Sequence, residues 1–326
     1  MHDPIGDFLG KRSTLILDGA LATELERRGA ALDDPLWSAR CLIECPDLIR
    51  AVHLDYFRAG ADVATTATYQ ATFEGFARRG LDAGAAAALM RRAVALAAEA
   101  RDEFRSERSG APDRPRPLVA ASVGPFGAML ADGSEYRGGY GASDAALADF
   151  HRPRLKVLAD AGADVLACET VPCLREALVL ARLLEEIPGA HAWMSFSCRD
   201  GASNSEGEDI GECAAALRAH ERIVAVGVNC TAPQHISSLL KRMRGRTDRP
   251  LVVYPNSGEH YDADGKHWSG ESAASEFATH ARRWRMEGAR LIGGCCRTGP
   301  AEIAEVARCV AHGPAETAEA ARCAAH

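Results

Sequence analysis

Three cysteines stand where two strand-like runs end. Cys230 closes Gly-Val-Asn-Cys (227–230), and Cys295 and Cys296 form a vicinal pair in Gly-Gly-Cys-Cys-Arg-Thr (293–298). Thiolates bind zinc strongly, and three of them leave one tetrahedral position open for a substrate. A vicinal pair can supply two ligands only if the backbone turns sharply, which Gly293 and Gly294 permit. Spacing alone does not separate this metal site from three buried cysteines that happen to end strands, because no C-x-x-C pair supports the metal. An iron–sulfur cluster fits less well, since C-x-x-x-C-x-x-C is absent.

Two acids occupy comparable places. Asp18 and Glu169 each follow a strand-like run. They could act as general acid and base, hold a ligand's ammonium group, or cap the helices that follow. Trp37, Tyr69 and Tyr261 could line a pocket for a sulfonium cation or could simply pack. The histidines are scattered, and none has ligand spacing with the cysteines.

These residues need a scaffold that brings distant strand ends together. Apolar runs occur at Thr14–Leu17, Asp62–Thr66, Leu118–Ser122, Asp164–Cys168, Ala192–Phe196, Val224–Val228, Leu251–Tyr254 and Arg290–Gly293. They are rich in Val, Ile and Leu with little alternation, as strands buried on both faces of a parallel sheet are. Helical periodicity lies between them. In 85–108, Leu89, Ala93, Leu96, Ala100 and Phe104 recur at three and four. Ser143 or Asp144 caps a helix that Pro153 should break. Ala59-Gly60-Ala61-Asp62-Val63 and Ala161-Gly162-Ala163-Asp164-Val165 each end a helix with glycine and launch a strand.

Eight strands alternating with helices predict an α/β fold, a single-domain (β/α)8 TIM barrel over 1–312, with an Ala-rich tail over 313–326. A doubly wound sheet is the competitor, but the turn at Asp18–Thr23 lacks G-x-G-x-x-G. In a barrel the residues after all eight strands share one rim, where active sites are built. Asp18, Tyr69, Glu169, Asn229, Cys230, Asn256, Cys295 and Cys296 would then meet there.

Composition narrows the function. The chain has 326 residues and a formal net charge of −7, against a nucleic-acid partner. The N-terminus lacks an apolar signal core and no run suits a membrane span. Eleven cysteines, an odd number, in a chain of this length read as reduced thiols in a cytoplasmic protein.

At the paired cysteine motifs the sequence resembles the homocysteine S-methyltransferase family. LDGALATELERRG (17–29), DPLWSA (34–39), TYQATFEGF (68–76), SVGPFGAMLADGSEYRGGY (122–140), ETVP (169–172) and VVYPNSGEHYD (252–262) are similar as well, most closely to its S-methylmethionine-using branch. The resemblance implies a (β/α)8 barrel in which Cys230, Cys295 and Cys296 bind Zn2+ and act by activating a substrate thiol. It places L-homocysteine on Asp18, Gly19, Ala20 and Glu169, with Asn256 also in the substrate site. It implies a sulfonium methyl donor, S-methylmethionine or S-adenosylmethionine, and L-methionine as product. Thr170 stands where the betaine-using branch has a tyrosine, which argues against betaine. Neither that branch's long C-terminal extension nor the folate- and cobalamin-binding modules of cobalamin-dependent methionine synthase are expected here. Two other readings suit the residues less well. A metal-dependent barrel hydrolase would want histidine and carboxylate ligands, and a thiol or zinc store would want clustered C-x-C tracts.

Overall fold

A computed structural model describes residues 3–32, 36–108, 114–258, 260–262, 267–269 and 274–310. Each predicted strand forms: β1 Leu15–Ile16, β2 Val63–Thr65, β3 Leu118–Val123, β4 Val165–Val171, β5 Ala192–Phe196, β6 Ile223–Asn229 and β7 Leu251–Tyr254. A hairpin that periodicity did not announce, β8 His260–Asp262 with β9 His267–Ser269, precedes the last barrel strand, β10 Ala289–Ile292. The eight barrel strands are parallel, in the order β1-β10-β7-β6-β5-β4-β3-β2, with helices on the outside. The expected (β/α)8 barrel is the observed fold.

Side chains close the seam between β1 and β2. The Asp62 N–H donates to the Ile16 carbonyl (2.7 Å) and Asp62 Oδ2 accepts from the Ile16 N–H (3.0 Å). The second Ala-Gly-Ala-Asp copy does the same two seams along, between β3 and β4: Asp164 N–H donates to Val119 O (2.9 Å) and Asp164 Oδ2 accepts from Val119 N–H (2.8 Å). Gly60 and Gly162 supply the left-handed turns, φ 111° and 85°, that lead into these clamps. The near-repeat is thus one device used twice, a helix stop followed by a carboxylate that holds the neighbouring strand.

Alternation along each strand divides two cores. Leu15, Val63, Ala120, Val165, Trp193, Ala225, Val252 and Leu291 fill the barrel, and Ile5 and Phe8 of the helix Pro4–Leu9 join this core. Val119, Ala121, Leu166, Met194, Val226 and Val253 face the helices. Continuing the inward set toward the strand ends gives Thr65, Ser122 and Glu169, and a polar layer replaces the apolar one.

Pro153 does not break its helix. Asp144–Asp160 is continuous, capped by Ser143 Oγ accepting from the Ala146 N–H at 3.1 Å. Pro153 lies on the exposed face, where water can serve the carbonyl it leaves without a donor. Leu147, Phe150, His151, Arg154, Leu155 and Leu158 bury the opposite face on both sides of it. Packing outweighs the one missing hydrogen bond. Among the described residues no helix is long and apolar enough to cross a membrane. The tail 313–326 with Cys323, part of DPLWSA, and the side chains of Trp37 and Tyr261 lie outside the described residues.

Candidate active site

Cys230 is the first residue past β6 and takes a left-handed backbone, φ 47°. A non-glycine residue there costs about 1–3 kcal/mol and persists only when its surroundings enforce it. Here the Cys230 N–H is tied to the Tyr254 carbonyl at 3.2 Å. Beyond β10 the pairing also continues: Cys295 N–H donates to Pro255 O (2.7 Å) and Ser257 N–H to Cys296 O (3.0 Å). Gly293 and Gly294 are needed for space, not for a left-handed turn. A Cβ on Gly293 would lie 2.5 Å from Leu17 Cβ, and one on Gly294 2.2 Å from Thr298 Oγ1. The left-handed residue of this loop is Arg297, φ 68°.

The three sulfurs converge. Cys230 Sγ is 3.5 Å from Cys296 Sγ, and the sulfurs of Cys230, Cys295 and Cys296 all lie within 4.8 Å of one another. Hydrogen bonds from Cys295 and Cys296, then from the Tyr136 hydroxyl, pull Cys230 well below the ordinary thiol value. The same bonds to Cys230 push Cys295 and Cys296 up. The three thiols thus act on one another's protons, and the set can give them up when a metal cation sits among them.

The cysteines form one wall of a pocket also lined by Asp18, Gly19, Ala20, Thr65, Tyr69, Ser122, Tyr136, Glu169 and Tyr254. Asp18 accepts from the Thr65 N–H (2.7 Å) and Thr65 Oγ1 (2.8 Å), so it pins β1 to β2 at the pocket floor. Glu169 reaches the pocket by the alternation of β4, at a bulge where the β4–β5 register shifts between Cys168 and Val171. Thr170 is left-handed, φ 59°, and Asn229 holds it there. Asn229 Oδ1 accepts from the Thr170 N–H (2.7 Å) and its Nδ2 donates to Thr170 Oγ1 (2.8 Å). Glu169 accepts from the Ser122 hydroxyl and from Tyr254. Burial lifts both Asp18 and Glu169 to about 7 despite these donors. Neither is a helix cap; both are desolvated carboxyls beside an open cavity, and they suit a cationic group.

Other sequence-derived residues are placed differently. Ala20 lines the pocket, but its N–H is already donated to Thr298 O at 2.9 Å. Asn256 does not line the cavity; its backbone N–H donates to Thr231 O at 3.1 Å. Tyr69, for which packing alone was the other reading, is among the lining residues. Residue reasoning gave no role to Glu135 and Tyr136, which sit on the short turn Ser134–Tyr136 between β3 and the helix Asp144–Asp160. The Tyr136 hydroxyl lies 3.1 Å from Cys230 Sγ. The signal available was the glycine density of GSEYRGGY, which marks a shaped segment without saying what it approaches. This arm is clipped across the rim. Glu135 O accepts from Ser197 Oγ (2.8 Å) and the Gly139 N–H donates to Glu206 Oε1 (2.8 Å).

A family model described as Homocysteine S-methyltransferase matches residues 15–310. The chain belongs to the homocysteine S-methyltransferase family. Within that family the Homocysteine S-methyltransferase YbgG of Bacillus subtilis is 54% identical over 305 residues, 94% of this chain and 97% of that one. The Homocysteine S-methyltransferase of Escherichia coli is 52% identical over 305 residues, 93% of this chain and 97% of its own. The crystal structure of the homocysteine methyltransferase MmuM from Escherichia coli, in a metallated form, matches with a TM-score of 0.85 at 49% identity, covering 94% of this chain and 99% of that chain. In this homocysteine S-methyltransferase family member, the three convergent cysteines are the described group able to hold a metal ion.

Proposed function

We propose that this protein transfers a methyl group from a sulfonium donor to L-homocysteine, forming L-methionine, with Zn2+ held by Cys230, Cys295 and Cys296. S-Methylmethionine is the preferred donor and S-adenosylmethionine a poorer one, since its adenosyl group needs extra room. The observation that carries this reading is the convergence of three sulfurs within 4.8 Å in a pocket that also holds two desolvated carboxyls.

An all-sulfur donor set suits zinc and ill suits magnesium or calcium, which favour oxygen. When bound, zinc would supply Lewis acidity enough to keep the acceptor thiol deprotonated near neutral pH, where a free thiol is only a few per cent thiolate. Asp18 and Glu169 bind the homocysteine ammonium and so aim its sulfur at the cysteines. Tyr136 hydrogen-bonds Cys230 and fixes that sulfur's orientation. Asn229 keeps Glu169 aimed inward by holding Thr170 in its left-handed turn. The acceptor thiolate attacks the donor's methyl carbon, the carbon–sulfur bond of the sulfonium breaks, and its electron pair leaves as a neutral thioether. Opposite charges merge in that step, so the largely apolar surroundings favour it. With S-methylmethionine both products are methionine.

The test is an initial-rate series with S-methylmethionine, S-adenosylmethionine and betaine at fixed homocysteine and saturating zinc. The expected order in kcat/KM is S-methylmethionine, then S-adenosylmethionine, with betaine far behind. Betaine must expel a tertiary amine and needs an aromatic cage, and Thr170 occupies the position of one cage residue. Betaine turnover equal to that of S-methylmethionine would contradict the donor assignment.

A further inference from the structure

We propose that Glu176 is a positioning residue for this site: it latches both ends of the arm 126–140 and thereby sets the Tyr136 hydroxyl on Cys230. The proposal rests on the reading of Cys230 as a metal ligand. Glu176 lies in the first turn of the helix Leu174–Glu185, fully buried and outside the pocket lining. Its two oxygens meet the two ends of the arm. Oε1 accepts from the Phe126 N–H at 2.6 Å, and Oε2 is hydrogen-bonded to the Tyr140 hydroxyl. His151, on the helix Asp144–Asp160, brings its Nε2 to 2.7 Å from Oε1. Burial holds the His151 imidazole well below its ordinary value, so the ring is neutral and donates from Nε2. Its Nδ1, buried without a partner, is then a bare lone pair rather than a stranded N–H. A buried carboxyl is costly, and three partners offset that cost only while the arm stays in place. Rings close the same junction: Phe126 packs on Tyr140 at 5.5 Å and on Phe150 at 5.1 Å between centroids, and Phe150 on His151 at 4.7 Å.

Between its ends the arm is shaped to pass their position on to its tip. The Tyr136 side chain is 44% exposed, so its own burial does not fix it. Left-handed Ala131 (φ 55°), Gly133 (φ 79°), Gly138 (φ 67°) and Gly139 (φ 67°) bend the chain on either side of the turn Ser134–Tyr136. The Ser134 N–H donates to Asp132 Oδ1 at 2.9 Å. Gly127 lies under the turn, where a Cβ would be 2.7 Å from the Glu135 nitrogen. A short loop with fixed ends and its own internal packing leaves its tip few places to go. The tip here is the hydroxyl 3.1 Å from Cys230 Sγ.

Two readouts on the full chain test the latch. In E176A, amide hydrogen exchange within 127–139 should speed up roughly 10- to 100-fold, the factor for a lost hydrogen bond to a charged group, while the barrel strands keep their rates. E176Q, whose amide can accept from Phe126 and donate to Tyr140, should restore most of the protection. Cobalt(II) in place of zinc reads the tip. Its sulfur-to-metal charge-transfer band should move to longer wavelength in Y136F, because a sulfur without its hydrogen bond gives up charge more readily. The band should move the same way in E176A, and no further in Y136F/E176A than in Y136F. Wild-type exchange in E176A overturns the proposal, as does a band that stays put in E176A or shifts additively in Y136F/E176A. Should E176A fail to fold, Y140F, which frees one end of the arm, decides the matter by the same two readouts. A wild type that takes up no cobalt would sink the metal reading, and the exchange pattern would then decide the latch by itself.

Discussion

At the scale of single residues, Asp18 and Glu169 pose the same electrostatic problem: a carboxyl taken out of water with hydrogen-bond donors but no countercharge, each lifted to about 7. A substrate ammonium would solve it. Glu169→Gln should therefore raise KM for homocysteine by the worth of one charge-assisted contact, about 1.5–3 kcal/mol, and leave zinc content near that of the wild type. Titration calorimetry with homocysteine checks this, and unchanged affinity would remove Glu169 from the substrate site. The acids and the three cysteines were legible because each ends a strand-like run, and strand ends share a rim in a barrel. Asn229 was legible only as a neighbour of Cys230; its work on Thr170 depends on a bulge that periodicity does not show. Asn256 also lies past a strand end but is not among the residues that line the cavity, because lying past a strand end is not the same as facing it. Glu135 and Tyr136 escaped residue-level reading since they belong to a loop, where neither period two nor period 3.6 points a side chain anywhere.

At the scale of elements, the barrel strands were recoverable from apolar runs, and Ala192–Phe196 and Leu251–Tyr254 match to the residue. The others differ by one to three residues: β4 continues past its apolar stretch through Glu169 to Val171, whereas β1 and β2 stop one residue inside theirs at each end. The helix through Pro153 shows the limit of local rules: one lost hydrogen bond on an exposed face does not outweigh a buried face on both sides. Glycine in β6 shows where a local rule is decisive. A Cβ on Gly227 would lie 1.7 Å from the Val252 carbonyl oxygen, a backbone atom that cannot swing away. Gly227→Ala should separate β6 from β7, cost about 1–3 kcal/mol or more as overpacking does, and displace Cys230 three residues on. The expected result is a lower melting temperature together with less than one zinc per chain. Full stability with full zinc would show that the strands yield without moving the site.

At the scale of the whole molecule, the buried carboxyls give the fold a pH signature. Asp18, Glu135 and Glu169 stand at about 7 and Glu176 at about 8. Each keeps its proton in the fold over a range where the unfolded chain has lost it, so stability falls as pH rises towards the folded value. His53, lowered to about 4, and His151, also lowered, act oppositely, but only below the ordinary imidazole value of ~6.5. The lowered Cys230 opposes with one further proton. The carboxyls therefore dominate most clearly between roughly pH 6 and 7.5. Thermal melts of the metal-free, substrate-free protein should show their steepest loss there, and a melting temperature that rises across that window would contradict the burial of these groups. The same barrel that buries them brings the strand ends together, and the methyl transfer assigned to that rim can be read directly. Zinc-loaded protein is given homocysteine with a 13C-labelled backbone and S-methylmethionine carrying two CD3 groups, and the methionine formed is weighed by mass spectrometry. The account predicts 13C-methionine bearing one CD3 from the wild type and almost none from Cys295→Ser. No doubly labelled methionine from the wild type, or as much from Cys295→Ser, would contradict it.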